Sequence, residues 1–449
     1  MSFKTTTAVE RYRAAEGWHF WLDLPQVNRA FDSSQATLEV RGWMLAPEGV
    51  EVGRVLLRAT PDGEAVALSF SMKRPDVLRR VLAVAEAEAT AHPRLVCGFS
   101  GRLPMPAQGF ELGCEVGGRV VWLQRYAFAQ AAMALQGRDG WLFLDNDTNG
   151  SVDQHTGRQL IDAVQLKGWQ AYLEGAREAA AGYGFRHVLA VVPSKEQVLG
   201  ECYPHARGAV TPVDQLAALA GDAVPMLFLA PWLRLQVPRE AQFMKTDTHW
   251  TDRGARAGAL ECVRALGLAV ERAAEVLGGD TFKVVDYEGD LGGKVMPAVK
   301  APTEFLDAPH VWSLASFDNL LPNFGHVAVF ASPDAPWQET LVVFGSSSSV
   351  QMLRFLHRLF RRLVFVHGAG SISREVLAHE RPAYVLLQTN ARFIVQAPSA
   401  DFDLRGMIAG KHAEAGEALK ARIAQAVGAV GEDSPDAFYG AMLVQEVAV

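Results

Sequence analysis

The sequence predicts an α/β protein: a doubly wound, mostly parallel sheet domain preceded by a smaller β-sandwich-like module. Three observations lead there. Short alternating or β-branched runs separated by turn residues fill the chain from about 34 to 127. Beyond Phe128 the rhythm changes to longer helical patterns alternating with uniformly apolar runs, as expected of strands buried on both faces of a parallel sheet. Polar, chemically capable residues follow those apolar runs, where open parallel sheets bind ligands.

Residues 1–30 read as an N-terminal extension and 31–128 as the β module. Its strands are expected at Thr37–Leu45, Val55–Ala59, Val66–Phe70 and Arg119–Leu123, separated by Ala46-Pro47-Glu48-Gly49, Pro61-Asp62-Gly63 and Gly117-Gly118. A helix over Val77–Ala91 interrupts them, with Val77, Leu78, Val81, Leu82 and Val84 as its apolar stripe. Residues 129–449 form the second domain. A helix is expected over Gly157–Tyr183, with strands at His187–Val192, Met226–Leu229, Leu341–Phe344, Leu363–Val366 and Tyr384–Thr389. Val350–Arg362 reads as a helix between two of these strands, which is the repetition of a doubly wound domain. The Gly-, Asp- and Pro-rich stretch Val270–Pro336 reads as long surface loops with short strands, and Gly406–Val430 as helix.

Composition narrows the function classes. Of 449 residues 49% are hydrophobic, enough for packed cores, and 50 acidic against 43 basic residues give a net charge of -7 without long blocks. No basic footprint for nucleic acid is present. No run reaches the roughly 18 apolar residues of a spanning helix. Cys97, Cys114, Cys202 and Cys262 lie too far apart for a zinc knuckle and read as free thiols. The stretch after Met1 carries charge but no apolar signal core, so the expectation is a complete, unexported, cytoplasmic chain.

Two clusters carry chemistry. After Leu341–Phe344 comes Gly345-Ser346-Ser347-Ser348-Ser349, a turn that presents a serine oxygen beside helix N–H groups able to meet an oxyanion. The same serines are equally suited to cap the helix, and the turn departs from the G-x-S-x-G elbow at Ser349. Earlier lies Lys245-Thr246-Asp247-Thr248-His249-Trp250-Thr251, where Asp247 and His249 project to one side of an extended segment. A carboxylate holding one imidazole nitrogen leaves the other to accept a serine proton, although both residues also have ordinary capping and structural uses. Each cluster lacks what the other supplies, and a triad accounts for both. Lys195 after Pro193-Ser194, and Asn390 and Arg392 after Tyr384–Thr389, fall at the same rim.

Together with Gly137-Arg138-Asp139-Gly140-Trp141-Leu142-Phe143-Leu144, Val191-Val192-Pro193-Ser194-Lys195 and Gly289-Asp290-Leu291-Gly292, these motifs resemble the SGNH-hydrolase-like domain of the alginate O-acetyltransferases AlgX and AlgJ, over about Gln130–Phe402. The resemblance implies Ser347 as nucleophile, His249 as general base and acid, and Asp247 as the group orienting it. It also implies oxyanion donors at the Ser347 N–H and Asn390, and an acetyl group moved onto, or hydrolysed from, a bacterial polysaccharide or its precursor. Lys195 and Arg392 are candidates for holding substrate. No cofactor is expected, and the resemblance leaves the acetyl donor unnamed. Other polysaccharide-assembly proteins are the partners it implies. Many relatives carry Gly-Asp-Ser at the nucleophile turn where this chain has Ser346, which leaves Ser346 and Ser348 as alternative reactive hydroxyls. The family resemblance suggests a periplasmic location, against the cytoplasmic expectation.

Two further readings complete the sequence. Asp145-Asn146-Asp147-Thr148-Asn149-Gly150 begins like a calcium-binding EF-hand loop, but Thr156 stands at the twelfth position, so a polar turn is expected and no metal; the family resemblance implies that this stretch lies near the active-site rim, with Asp147 or Asn149 as a further substrate contact. Val40-Arg41-Gly42-Trp43, Arg74-Pro75-Asp76-Val77 and Gly109-Phe110-Glu111-Leu112 resemble the β-sandwich accessory domains of polysaccharide enzymes, with Trp43 expected in the core. Acetylesterase and non-catalytic glycan-binding scaffold are the competing functions.

Overall fold

The computed structural model describes residues 3–443 apart from 28, 29, 34, 61, 62, 83, 131–133, 221–224, 296 and 432. Pro61 and Asp62 of one expected turn therefore lie outside the described residues. The chain divides into two compact units, Met1–Met133 with Gly293–Ala298, and Ala134–Gly292 with Val299–Val449.

The first unit holds two antiparallel sheets. Six strands run in the order Ala30–Asp32, Phe3–Arg11, Arg119–Gln130, Gly109–Val116, Val55–Thr60, Ala65–Leu68, and four in the order His19–Leu24, Thr37–Leu45, Val96–Pro104, Phe70–Lys73. Leu22, Leu38 and Val40 of the smaller sheet share one core with Leu57, Phe110, Leu112 and Leu123 of the larger. The first 30 residues are no separate extension. Phe3–Arg11 pairs along Arg119–Gln130, and His19–Leu24 pairs with Thr37–Leu45. The polar run Lys4–Thr7 and the apolar run Phe20–Leu22 break the alternation that marks a half-buried strand, which hid both segments in the sequence. The expected Val77–Ala91 helix is two short ones, Pro75–Leu82 and Glu86–Ala89. Trp43 is 5% exposed and sits in the core.

The second unit is built on a seven-stranded sheet in the order Met226–Phe228, Arg186–Val192, Tyr384–Asn390, Trp337–Gly345, Phe360–His367, Val327–Ala331, Phe317–Asp318. The first five are parallel and the last two antiparallel. Side chains alternate between two cores. Leu341 and Val343 face one that includes Trp250, Met352 and Phe355, whereas Val342 and Phe344 face another with Trp169, Tyr172 and Ile372. Burial on both faces is why these strands are apolar without a break.

Three segments differ from expectation. The helix expected from Gly157 starts at Ala163, because the Asp162 side chain accepts from Gln165 N and caps it there. The helix after the serine turn spans Ser347–Leu356, and Phe360 already opens the next strand. Val270–Pro336 is more ordered than its composition suggests. It contains a helix (Val270–Val276), the paired strands Phe282–Tyr287 and Ala301–Leu306, and the buried sheet strand Val327–Ala331. Among the described residues no helix is long and apolar enough to cross a membrane.

Candidate active site

The serine turn sits where the central Trp337–Gly345 strand ends. Gly345 is required there by close approach: a Cβ would meet Ser349 Oγ at 2.1 Å. Capping and presentation fall to different serines. Ser346 is the N-cap of the Ser347–Leu356 helix, its hydroxyl accepting from Ser348 N at 3.3 Å. Ser346, Ser348 and Ser349 are buried, while Ser347 is half-buried. The buried Gln388 organises the turn: its Oε1 accepts from Ser346 N (2.8 Å), Ser346 Oγ (2.8 Å) and Ser349 Oγ (2.6 Å). Its Nε2 donates to Asn390 Oδ1 at 3.0 Å, and the Asn390 amide N–H₂ has no acceptor among the described residues. The Ser347 backbone N–H, at the open N-terminus of its helix, likewise has none among the described residues.

The hydroxyl facing the imidazole is that of Ser347. His249 Nε2 lies 3.1 Å from Ser347 Oγ, and His249 Nδ1 lies 2.7 Å from Asp247 Oδ1. Nδ1 carries the proton in this arrangement, because a carboxylate is an acceptor. The loop is held rigidly. His249 N donates to Asp247 Oδ1 at 2.8 Å, and Met244 N donates to the His249 carbonyl. Trp250 Nε1 donates to the Ser348 carbonyl at 3.1 Å and ties the loop to the serine turn.

The Gly289–Gly292 turn completes the support of Asp247. Asp290 N donates to Asp247 Oδ2 at 2.8 Å, and the Asp290 carboxylate accepts from Thr248 N (2.7 Å) and Thr248 Oγ1 (2.6 Å). Gly289 adopts φ +63, and a Cβ there would lie 2.3 Å from the Thr246 carbonyl. Burial pushes the Asp247 carboxyl up, but the bonds from His249 and the backbone outweigh it and hold it below the usual carboxylate range. Asp247, His249 and Asp290 bring ligand-capable atoms within 4.8 Å of one another, yet the carboxylate oxygens are already met by His249, Thr248 and the Asp290 amide.

The remaining candidates divide. Asn390 and Arg392 line a small cavity of about 30 Å³ together with His249 and Ser348. Lys195 reaches the same cavity but is 3% exposed, and its Nζ donates to the carbonyls of Leu142 (2.6 Å) and Lys245 (3.3 Å). Lys195, expected to hold substrate, thus fastens two segments behind the site. Burial pushes its pKa down to about 7, with Asp247 and Asp290 opposing the drop. Asp147 is likewise taken. Its carboxylate accepts from Asn149 N, Asn149 Nδ2, Ser151 N and Ser151 Oγ, capping the Ser151–His155 helix. Asn146 Oδ1 accepts from Val152 N and Asp153 N, so the loop that resembles an EF-hand is a set of internal caps.

Two residues escaped the sequence reading. Gln388 interrupts the apolar run of the Tyr384–Asn390 strand and stands two before Asn390, so both share a face. His367 ends the Phe360–His367 strand and is registered beside Gly345. The same rule that named Asn390 applies to this strand and points to His367.

A hydroxyl, an imidazole and a carboxylate in line at the carboxyl ends of a parallel sheet form the kind of arrangement that performs acyl transfer. The family described as the SGNH hydrolase-like domain of the acetyltransferase AlgX matches residues 134–364, just over half of the chain, and the chain belongs to it. Among its relatives is the probable alginate O-acetylase AlgJ of Pseudomonas fluorescens, 32% identical over 136 residues, covering 29% of this chain and 32% of that protein. The same-named protein of Pseudomonas putida is 31% identical over 166 residues, covering 34% and 40%. The chain thus spans about a third to two fifths of the length of these relatives. Of solved structures, the O-acetyltransferase domain of Pseudomonas putida AlgJ is 20% identical with a TM-score of 0.40, covering 63% of this chain and 99% of that one. Bacillus cereus PatB1 with a sulfonyl adduct is 13% identical with a TM-score of 0.44, covering 59% and 96%.

Proposed function

We propose that the chain is an O-acetyltransferase that moves acetyl groups onto hydroxyls of a polysaccharide or its precursor through an acetyl-Ser347 intermediate. In this reading the enzyme core is a doubly wound sheet domain, and the N-terminal unit is a β-sandwich-like accessory module. The observation that carries the proposal is the line from Asp247 Oδ1 through His249 to Ser347 Oγ, with steps of 2.7 and 3.1 Å.

Ser347 Oγ attacks the carbonyl carbon of an acetyl ester as His249 Nε2 takes its proton. Asp247 fixes the tautomer and stabilises the imidazolium. The displaced carbonyl electron pair resides on an oxyanion that accepts from the Ser347 N–H and the Asn390 amide. Collapse expels the donor alkoxide, which takes the proton back from His249. An acceptor hydroxyl then gives its proton to His249 and attacks the acetyl carbon, and departing Ser347 Oγ recovers the proton. Water follows the same route, and the 23% exposure of the His249 side chain favours some acetylesterase turnover beside transfer. The name of the AlgJ relatives, alginate O-acetylase, supports a glycan acceptor.

The test offers an acetyl ester and an oligosaccharide together and weighs the products. Wild type is expected to yield acetylated oligosaccharide and acetate, and Ser347→Ala neither. Wild type that releases no acetate and acetylates nothing contradicts the proposal.

A further inference from the structure

Two cavities of very different size lie beside the candidate catalytic groups, and Ser347 lines the larger. The one that holds His249, Asn390 and Ser348 measures about 30 Å³, room for about one water-sized oxygen. The other, on which Ser347 itself opens, measures about 350 Å³, within the range of ligand clefts of about 300–1,000 Å³. The first has room for little more than one oxygen, and only the second, beside Ser347, has room for a glycosyl unit.

The walls of the larger cavity carry recognisable chemistry. Trp312 is half-buried and packs near Phe330 and Phe365, with ring centroids 6.4 and 5.8 Å away, while also lining the cavity. His326, braced by Asp318 at 2.8 Å, sets its ring against Trp312 at a centroid distance of 4.6 Å. His367 is 8% exposed, lines the cavity and makes no side-chain hydrogen bond among the described residues. Burial, with His326 and Lys411 adding to it, pushes its pKa down to about 4, so the ring is neutral and offers one donor and one acceptor. Exposed Arg422 stands at the edge, paired with nothing among the described residues. An aromatic platform, an unpartnered neutral imidazole and a cation suit a ring with apolar C–H faces, hydroxyls and a negative substituent.

We infer that this cavity is the acceptor subsite: a glycosyl unit lies against Trp312, hydrogen-bonds His367 and turns a carboxylate toward Arg422, which brings its hydroxyl to Ser347. The inference rests on the acyl-transfer reading for its role, and on the cavity alone for its ligand.

Calorimetric titration of the full chain with an alginate tetrasaccharide and with cellotetraose tests it. Trp312→Ala is expected to weaken both by at least about tenfold, and His367→Asn by about three- to tenfold. Arg422→Ala, a surface change that leaves the core untouched, is expected to weaken the alginate tetrasaccharide alone. Trp232→Ala, in a separate cavity, serves as the control that leaves binding unaltered. Wild-type affinities in both the Trp312 and His367 variants, or no heat with either sugar in wild type, overturn the inference. Labelling of Ser347 by phenylmethanesulfonyl fluoride, read by mass, separates the two readings. Labelling without sugar binding overturns the subsite and leaves the acyl chemistry standing. Trp312-dependent binding without labelling leaves a glycan cavity and overturns the acyl role.

Discussion

Two Asp–His pairs lie close to Ser347, and they are built from the same parts. Asp247 holds His249 Nδ1 at 2.7 Å, and Asp318 holds His326 Nε2 at 2.8 Å. Both carboxylates also accept a backbone N–H, from Asp290 in the first case and Leu320 in the second. The difference is what the rest of each ring meets. The free nitrogen of His249 faces a half-buried hydroxyl, whereas His326 is packed between Trp312 and Phe365. A carboxylate-braced imidazole is therefore a general structural device. In the proposed function it becomes a proton shuttle where its second nitrogen reaches a hydroxyl.

The strongest way to break this comparison is to remove each imidazole in turn. His249→Ala is expected to lower turnover of a chromogenic acetyl ester by about 10³-fold or more, as loss of a triad member does elsewhere. Asp247→Asn should approach that loss, since an amide no longer selects the tautomer that leaves Nε2 as acceptor. His326→Ala and Asp318→Asn should cost less than about tenfold, by loosening the Trp312 wall. Equal losses at the two pairs would sink the distinction.

A smaller effect sharpens it, because the first pair has the buried amine of Lys195 behind it. Lys195 feels Asp247 and Asp290. Its pKa is pushed down to about 7 in the folded chain from an ordinary 10.5. Between those values the unfolded chain holds the proton and the folded chain does not, so stability rises with pH across that window. Lys195→Met should abolish the rise in urea-unfolding free energy from about pH 7 to about pH 10. A variant that keeps the wild-type slope would show that Lys195 stays charged.

Legibility in the sequence follows the range of the interactions. Asp247 and His249 are two residues apart, and Gly345–Ser349 is one turn, so local geometry exposes both. Asp318 and His326 meet across the turn between two strands and leave no such signature. Gln388 organises the serine turn from 39 residues away or more, visible beforehand only as a polar interruption in an apolar strand. At Lys195 and Asp147 the sequence shows charged rim residues but not the internal partners that hold them. A charged residue at a rim is ordinarily solvated, but here backbone carbonyls and helix-end N–H groups take the place of water. The order within Val270–Pro336 was hidden because its paired strands, Phe282–Tyr287 and Ala301–Leu306, hold exposed residues such as Val284 and Val285 and follow no core periodicity.

The most direct test of the central claim is to mix the protein with a chromogenic acetyl ester, quench in acid within the first turnover, and sequence the peptide containing residues 345–349 by mass spectrometry. The account predicts one acetyl group on Ser347, absent from His249→Ala. An acetyl group on Ser346 or Ser348, or a burst of product with no acetylated serine, would contradict it.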